Sequence, residues 1–149
     1  MNRLIALLFW VVLLPSWACA QDDVALSTLS IQTPNSTYSF TTEIALSEEA
    51  KERGLMFRQK MPEDQAMIFA FSPPQPVKFW MKNTLIPLDM IFVRADGTIA
   101  AIAENAVPQS LDQIGVAEPV AAVVEVAGGV THKLGIHMGD HVGGAAFNP

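Results

Sequence analysis

From Thr37 to Leu46 the chain alternates, with Tyr38, Phe40, Thr42, Ile44 and Leu46 on one side and Ser39, Thr41 and Glu43 between them. A period of two marks a strand half-buried against a core. Leu29 and Ile31 give a weaker strand over Leu26–Thr33, after a frayed start at Gln21–Ala25, and Pro34-Asn35-Ser36 supplies the turn that joins the two as a hairpin. Ser47 then reads as a helix N-cap, Glu48 and Glu49 stand in the first turn where the helix dipole favours acids, and Gly54 is a natural stop. Short apolar runs follow at Ala66–Phe71 and Val77–Lys82, separated by Pro73, Pro74 and Pro76, which cannot donate to a ladder. Asp89–Val93 and Thr98–Asn105 pair across the turn Ala95-Asp96-Gly97. Ala106–Pro119 is a polar loop, Ala121–Val126 a buried strand, Val130–Leu134 one helical turn, and Gly135–Val142 ends the pattern. Many short strands with almost no helix predict a mainly β, single-domain antiparallel β-sandwich or partly closed barrel with one or two short helices.

Composition changes this picture at the N-terminus. Asn2-Arg3, an apolar run from Leu4 to Leu14, a break at Pro15-Ser16 and the small-x-small set Ala18-Cys19-Ala20 form a secretory signal peptide over residues 1–20. The apolar run is too short to cross a hydrocarbon layer of roughly 30 Å. The expected product is an exported, periplasmic domain over residues 21–149 with no transmembrane span; the alternative is a lipid anchor through Cys19. Cys19 is also the one cysteine of the chain, so the domain has neither an internal disulfide nor a thiol nucleophile. A formal charge of −6 without any basic run argues against nucleic acid as a partner.

Charge is scarce at 16% of residues, so charges inside apolar runs need a reason. Asp89 opens Met90-Ile91-Phe92-Val93, and Glu125 sits in Val123-Val124-Glu125-Val126. A carboxylate facing a core must be paired or hydrogen-bonded, or it takes up a proton. Arg53, Arg58 and Lys82 are the candidate partners of these carboxylates, Arg58 first and Lys82 second for Asp89, Arg being better suited to hold a carboxylate with two hydrogen bonds. Alternatively, Asp89 and Glu125 are candidate catalytic carboxyls of one cleft, able to share acid–base work as in glycoside cleavage. Trp80 is either core packing or, with Lys82, Asn83 and Arg58, part of a ligand platform. The methionines lie mostly in apolar strands as gap-fillers, and His137 and His141 straddle a Gly139-Asp140 turn, so no metal or cofactor is expected. Nucleophile-elbow, phosphate-loop, dinucleotide and zinc-protease motifs are absent.

Several segments together resemble a known family. Gly54-Leu55-Met56-x-Arg58, Met67-Ile68-Phe69-x-Phe71 and Phe79-Trp80-Met81-Lys82-Asn83-Thr84-x-Ile86-Pro87-Leu88-Asp89 are similar to the motifs of domain of unknown function 192. Asp96-Gly97-x-Ile99, Pro108-x-Ser110, Glu125-x-x-x-Gly129 and Gly135-Ile136-x-x-Gly139-Asp140-x-Val142 follow in the same order, so the resemblance covers about residues 28–143. It implies a compact β-rich domain, often exported in bacteria, and no settled activity. The expected function is a non-enzymatic binding or interaction module for a small ligand or envelope component of unknown identity. The alternative is a hydrolase of envelope glycan or peptide using Asp89 and Glu125.

Overall fold

The structure, a computed structural model, describes residues 24–147. The signal-peptide segment and Cys19 lie outside the described residues. Nine elements follow in order: β1 (Val24–Gln32), β2 (Thr37–Ala45), α1 (Glu48–Arg53), β3 (Gln65–Phe79), β4 (Leu88–Val93), β5 (Ile99–Ala106), β6 (Ile114–Ala127), α2 (Val130–Leu134) and β7 (His141–Gly143). The strands form one seven-stranded sheet in the order β5-β4-β6-β3-β2-β1-β7.

This sheet curls until its two edges touch at one corner. Ile99 N–H donates to the Asp140 carbonyl at 2.9 Å, Gly139 N–H to that of Ile99 at 3.0 Å, and Val142 N–H to that of Gly97 at 2.8 Å. Edge backbone groups are thereby satisfied where the β4–β5 turn meets β7. Of the two architectures expected, the fold is therefore the partly closed barrel. Gly97 is required at the contact: its φ is 84°, and a Cβ there would stand 2.5 Å from His141 Cε1 and 2.6 Å from the Val142 carbonyl oxygen.

One pairing departs from the antiparallel expectation. β2 and β3 run parallel, from Thr41↔Gln65 to Ile44↔Ile68. Parallel neighbours need a long crossover, and α1 with the segment 54–64 provides it. Ser47 caps α1 by accepting from Ala50 N–H at 3.1 Å, and Gly54 ends it at φ 46°. A helix this short is marginal alone; Ala50 and Leu55 bury its inner side against the sheet.

The proline run does not break the chain into two strands. β3 continues through it, its register with β6 passing from Ala70↔Ala122 to Gln75↔Val120 and then Val77↔Val116. Pro73, Pro74 and Pro76 are exposed in this bulge, where a missing N–H costs no ladder bond. β6 begins at Ile114, so the loop expected over 106–119 shrinks to 107–113.

Both faces of the sheet are covered, which is why every residue of β4 is buried. Ile68, Ile91, Val93, Val124 and Val126 face α2 and the C-terminal segment, among Leu29, Ile31, Phe40 and Val142. Met67, Phe69, Met90, Phe92 and Val123 face the other way, under α1 and the segment after β3.

Candidate functional site

Alternation along β6 places Glu125 on the α1 side, with Val123, while Val124 and Val126 point to the opposite core. Its partners across the flanking strands are Met67 and Met90, neither able to neutralise it. The residue is 5% exposed. Among the described residues no side chain or backbone group hydrogen-bonds its carboxyl, yet no fully sealed side-chain oxygen or nitrogen lacks a partner. The Glu125 oxygens therefore open onto a space, a cavity of about 440 Å³ between α1 and the second half of β3. Burial pushes its carboxyl from the ordinary 4.5 up to about 8, so the group holds its proton at neutral pH.

Leu55, Phe69, Phe71, Val77 and Phe79 wall this cavity, and Lys51, Arg53, Lys78 and Trp80 stand among its polar and aromatic lining. Phe69 and Phe79 meet edge to face with centroids 5.2 Å apart. Trp80 is 48% exposed rather than part of the core. The strand stops at Phe79, and in the turn that follows it is Met81 that goes inside. Lys82 Nζ sits 5.1 Å from the centroid of the indole. Trp80 also borders an adjoining groove with Lys82, Asn83, Arg53 and Met56. Asn83 adopts φ 57°, accepts from Phe57 N–H at 2.8 Å and places Nδ2 3.8 Å from Met56 Sδ. Those contacts hold the segment after α1 against the turn that carries Trp80. The loop 107–113 buttresses the same turn, for Met81 N–H donates to the Ser110 carbonyl and Gln109 N–H to that of Thr84, both at 3.0 Å.

Arg58 is elsewhere engaged. Its guanidinium forks onto Glu43, with Nη1 2.6 Å from Oε1 and Nη2 on Oε2, clamping the segment after α1 to β2. Neither Arg58 nor Lys82 reaches Asp89, and the expected ion pair is corrected accordingly. Asp89 is completely buried and accepts four hydrogen bonds. Oδ1 takes Asn105 N–H at 2.8 Å and Gly129 N–H at 2.9 Å; Oδ2 takes Thr131 N–H at 2.9 Å and Thr131 Oγ1 at 2.7 Å. Backbone donors at the end of β5 and the start of α2 converge on the carboxylate and take the place of a cation.

The paired-carboxyl arrangement is also corrected. In the β4–β6 register Asp89 stands opposite Val126 and Glu125 opposite Met90. An offset of one residue puts two side chains on opposite faces of a sheet. Asp89 lies with Ile91 and Val93, and Glu125 opens towards α1, so no single pocket receives both. Of the six candidate site residues, Glu125 and Trp80 share the cavity, Lys82 and Asn83 flank its adjoining groove, and Arg58 and Asp89 are structural. Arg53, a further candidate partner for the carboxylates, lines the cavity from the exposed side of α1 without pairing with either. The sequence singles out neither Lys51 nor Lys78, because each reads as an ordinary solvated charge until α1 is folded over β3. Among the described residues there is no cluster of three or more His, Cys, Asp or Glu able to hold a metal.

The family model DUF192, described as an uncharacterized ACR, matches residues 30–144. Among solved structures, a protein from Sinorhizobium meliloti 1021 described as a candidate transcription regulator is 42% identical with a TM-score of 0.81, over 84% of this chain and 98% of that one. A protein of unknown function from Novosphingobium aromaticivorans DSM 12444 is 38% identical with a TM-score of 0.77, over 79% of this chain and 84% of that one. No curated protein matches.

Proposed function

The chain belongs to this uncharacterised family, DUF192, and on that premise we propose that it is a small-molecule binding module whose site is the cavity floored by Glu125. One observation carries the reading: the carboxyl of Glu125, a residue only 5% exposed, has no hydrogen-bond partner among the described residues and opens into a cavity of about 440 Å³. Burying such a group unpaired is costly, and a bound ligand would relieve the cost. The volume lies in the range of about 300–1,000 Å³ usual for ligand pockets, and the mix of apolar walls with a few polar groups is also usual. Trp80, half-exposed beside the opening, gives a ligand a flat apolar surface. Asp89 lies on the opposite face of the sheet from Glu125, so the two carboxyls expected to share hydrolysis do not meet at this cavity, which favours binding. The regulator description of the Sinorhizobium protein gains no support from a chain of formal charge −6 with no basic run.

Residues 1–20 carry the signal-peptide pattern, and on that basis the domain works in the periplasm. N-terminal sequencing of the protein from a periplasmic fraction should begin at Gln21; retention of residues 1–20 in the cytoplasm would contradict export. For the site, amide NMR shifts during titration with a mixture of small amphipathic fragments should cluster on Leu55, Phe69, Val77, Phe79 and Trp80. Shifts confined to other surfaces, or none, would remove the cavity as the binding site.

A further inference from the structure

We infer that the ligand is an organic ammonium, a protonated amine on an apolar body, seated with the amine on the Glu125 carboxylate and the body among Leu55, Phe69 and Phe79. This inference rests on the cavity being the site. It follows from what the carboxyl is offered and what it lacks. In its ionised form the carboxyl only accepts hydrogen bonds, and among the described residues none is offered to it. The strongest complement is a charged N–H donor, which supplies both the missing bonds and the missing counter-charge. Aromatic side chains add to this, since ring faces attract cations.

The cations among the described residues leave the position open. Lys51 Nζ is 2.8 Å from Glu48 Oε1 and sits over the Phe71 ring, 5.7 Å from its centroid. Lys78 Nζ is 2.9 Å from Gln113 Oε1. Arg53 and Glu52, the remaining charged lining residues, are exposed on α1. Met67 and Met90 on the flanking strands, and Thr84 from the turn after β3, carry no charge. Among the described residues no histidine lines the cavity, so no other side chain in that lining ordinarily titrates between pH 6 and 8.

A proton must move when such a ligand arrives. The empty site holds Glu125 as the neutral acid. An ammonium entering converts it to the carboxylate, forming the ion pair and releasing one proton to solvent. Charge balances, and the amine keeps all its hydrogens. Binding should therefore tighten as pH rises towards 8 and then level off.

The test compares 2-phenylethylamine with 2-phenylethanol, which shares the ring and linker but carries no charge. Calorimetry between pH 6 and 8, in phosphate and in the zwitterionic buffer MOPS, whose ionisation heats differ, reads affinity and protons released together. The expected result is an amine affinity that rises about tenfold from pH 6 to pH 7, with about 0.9 proton released per amine bound at pH 7. The alcohol should bind more weakly at pH 8 and show no pH dependence. Glu125→Gln, whose amide matches the neutral acid in shape, should keep the alcohol and lose at least tenfold of the amine affinity at pH 8. Amine binding that is flat in pH and releases no proton would overturn the ammonium assignment while leaving the cavity as a site for neutral ligands. Failure of both compounds to bind overturns it as well, and the fragment mapping then judges the cavity by itself. Should Glu125→Gln not fold, the proton release of the wild type still decides the matter.

Discussion

At pH 7 an unfolded Glu125 is ionised, whereas the folded chain holds it protonated, its carboxyl raised from 4.5 to about 8 by burial. Across that interval the native state binds the extra proton, so this group's contribution to stability is greatest below pH 4.5 and falls as pH rises to 8. The slope is about 1.4 kcal/mol per pH unit, or about 3 kcal/mol lost by pH 7. Glu125→Gln should accordingly be the more stable protein at pH 7 by roughly that amount and indistinguishable near pH 4.5, read from urea unfolding at both values. Asp89 is the contrasting case. Its carboxylate receives three backbone N–H groups and one hydroxyl, and an Asn amide would turn a donor towards them. Asp89→Asn should cost about 3 kcal/mol, while Arg58→Ala, which breaks only the partly exposed fork to Glu43, should cost about 1 kcal/mol. Equal losses in the two would contradict this ranking of the buried carboxylate over the partly exposed ion pair. That both carboxyls were exceptional could be read from the apolar runs around them. Which face each occupied could not, because one residue of register between β4 and β6 decides it.

At the scale of elements, the cavity exists because α1 and the second half of β3 are held apart over β6. Gly115 permits the close approach at one end: a Cβ there would stand 2.1 Å from the Val77 carbonyl oxygen and 3.1 Å from Lys78 Cα. Gly115→Ala should force β3 away from β6 and destabilise the fold by about 2 kcal/mol, with loss of the fragment-induced shifts at Val77 and Phe79. An unchanged melting temperature would mean that the strands have slack here. The limits of α1 were legible because cap and stop are local chemistry, Ser47 at one end and Gly54 at the other. The continuity of β3 was not legible. Three prolines ordinarily end a strand, and only the pairing with β6 turns them into a bulge. With the prolines taken as a break, Val77–Lys82 reads as a separate strand that includes Trp80; the strand's end at Phe79 frees the indole for the cavity.

For the whole molecule, one curled sheet carries two cores, one on each face, and the two unusual carboxyls divide between them. Asp89 anchors α2 and the end of β5 on one face. Glu125 opens into the cavity on the other. The mainly β class was written in the short apolar runs and turns of the chain, and the partial closure depends on a single corner at Gly97 and Val142 that no local pattern announces. The account turns on Glu125 being a neutral acid at a cavity floor, and a carbon-13 NMR titration of its side-chain carboxyl in the ligand-free protein reads this directly. A midpoint near pH 8, moving down by at least one unit when 2-phenylethylamine is present, is the result expected. A midpoint near 4.5, the same with and without the amine, would contradict both the buried acid and the site built on it.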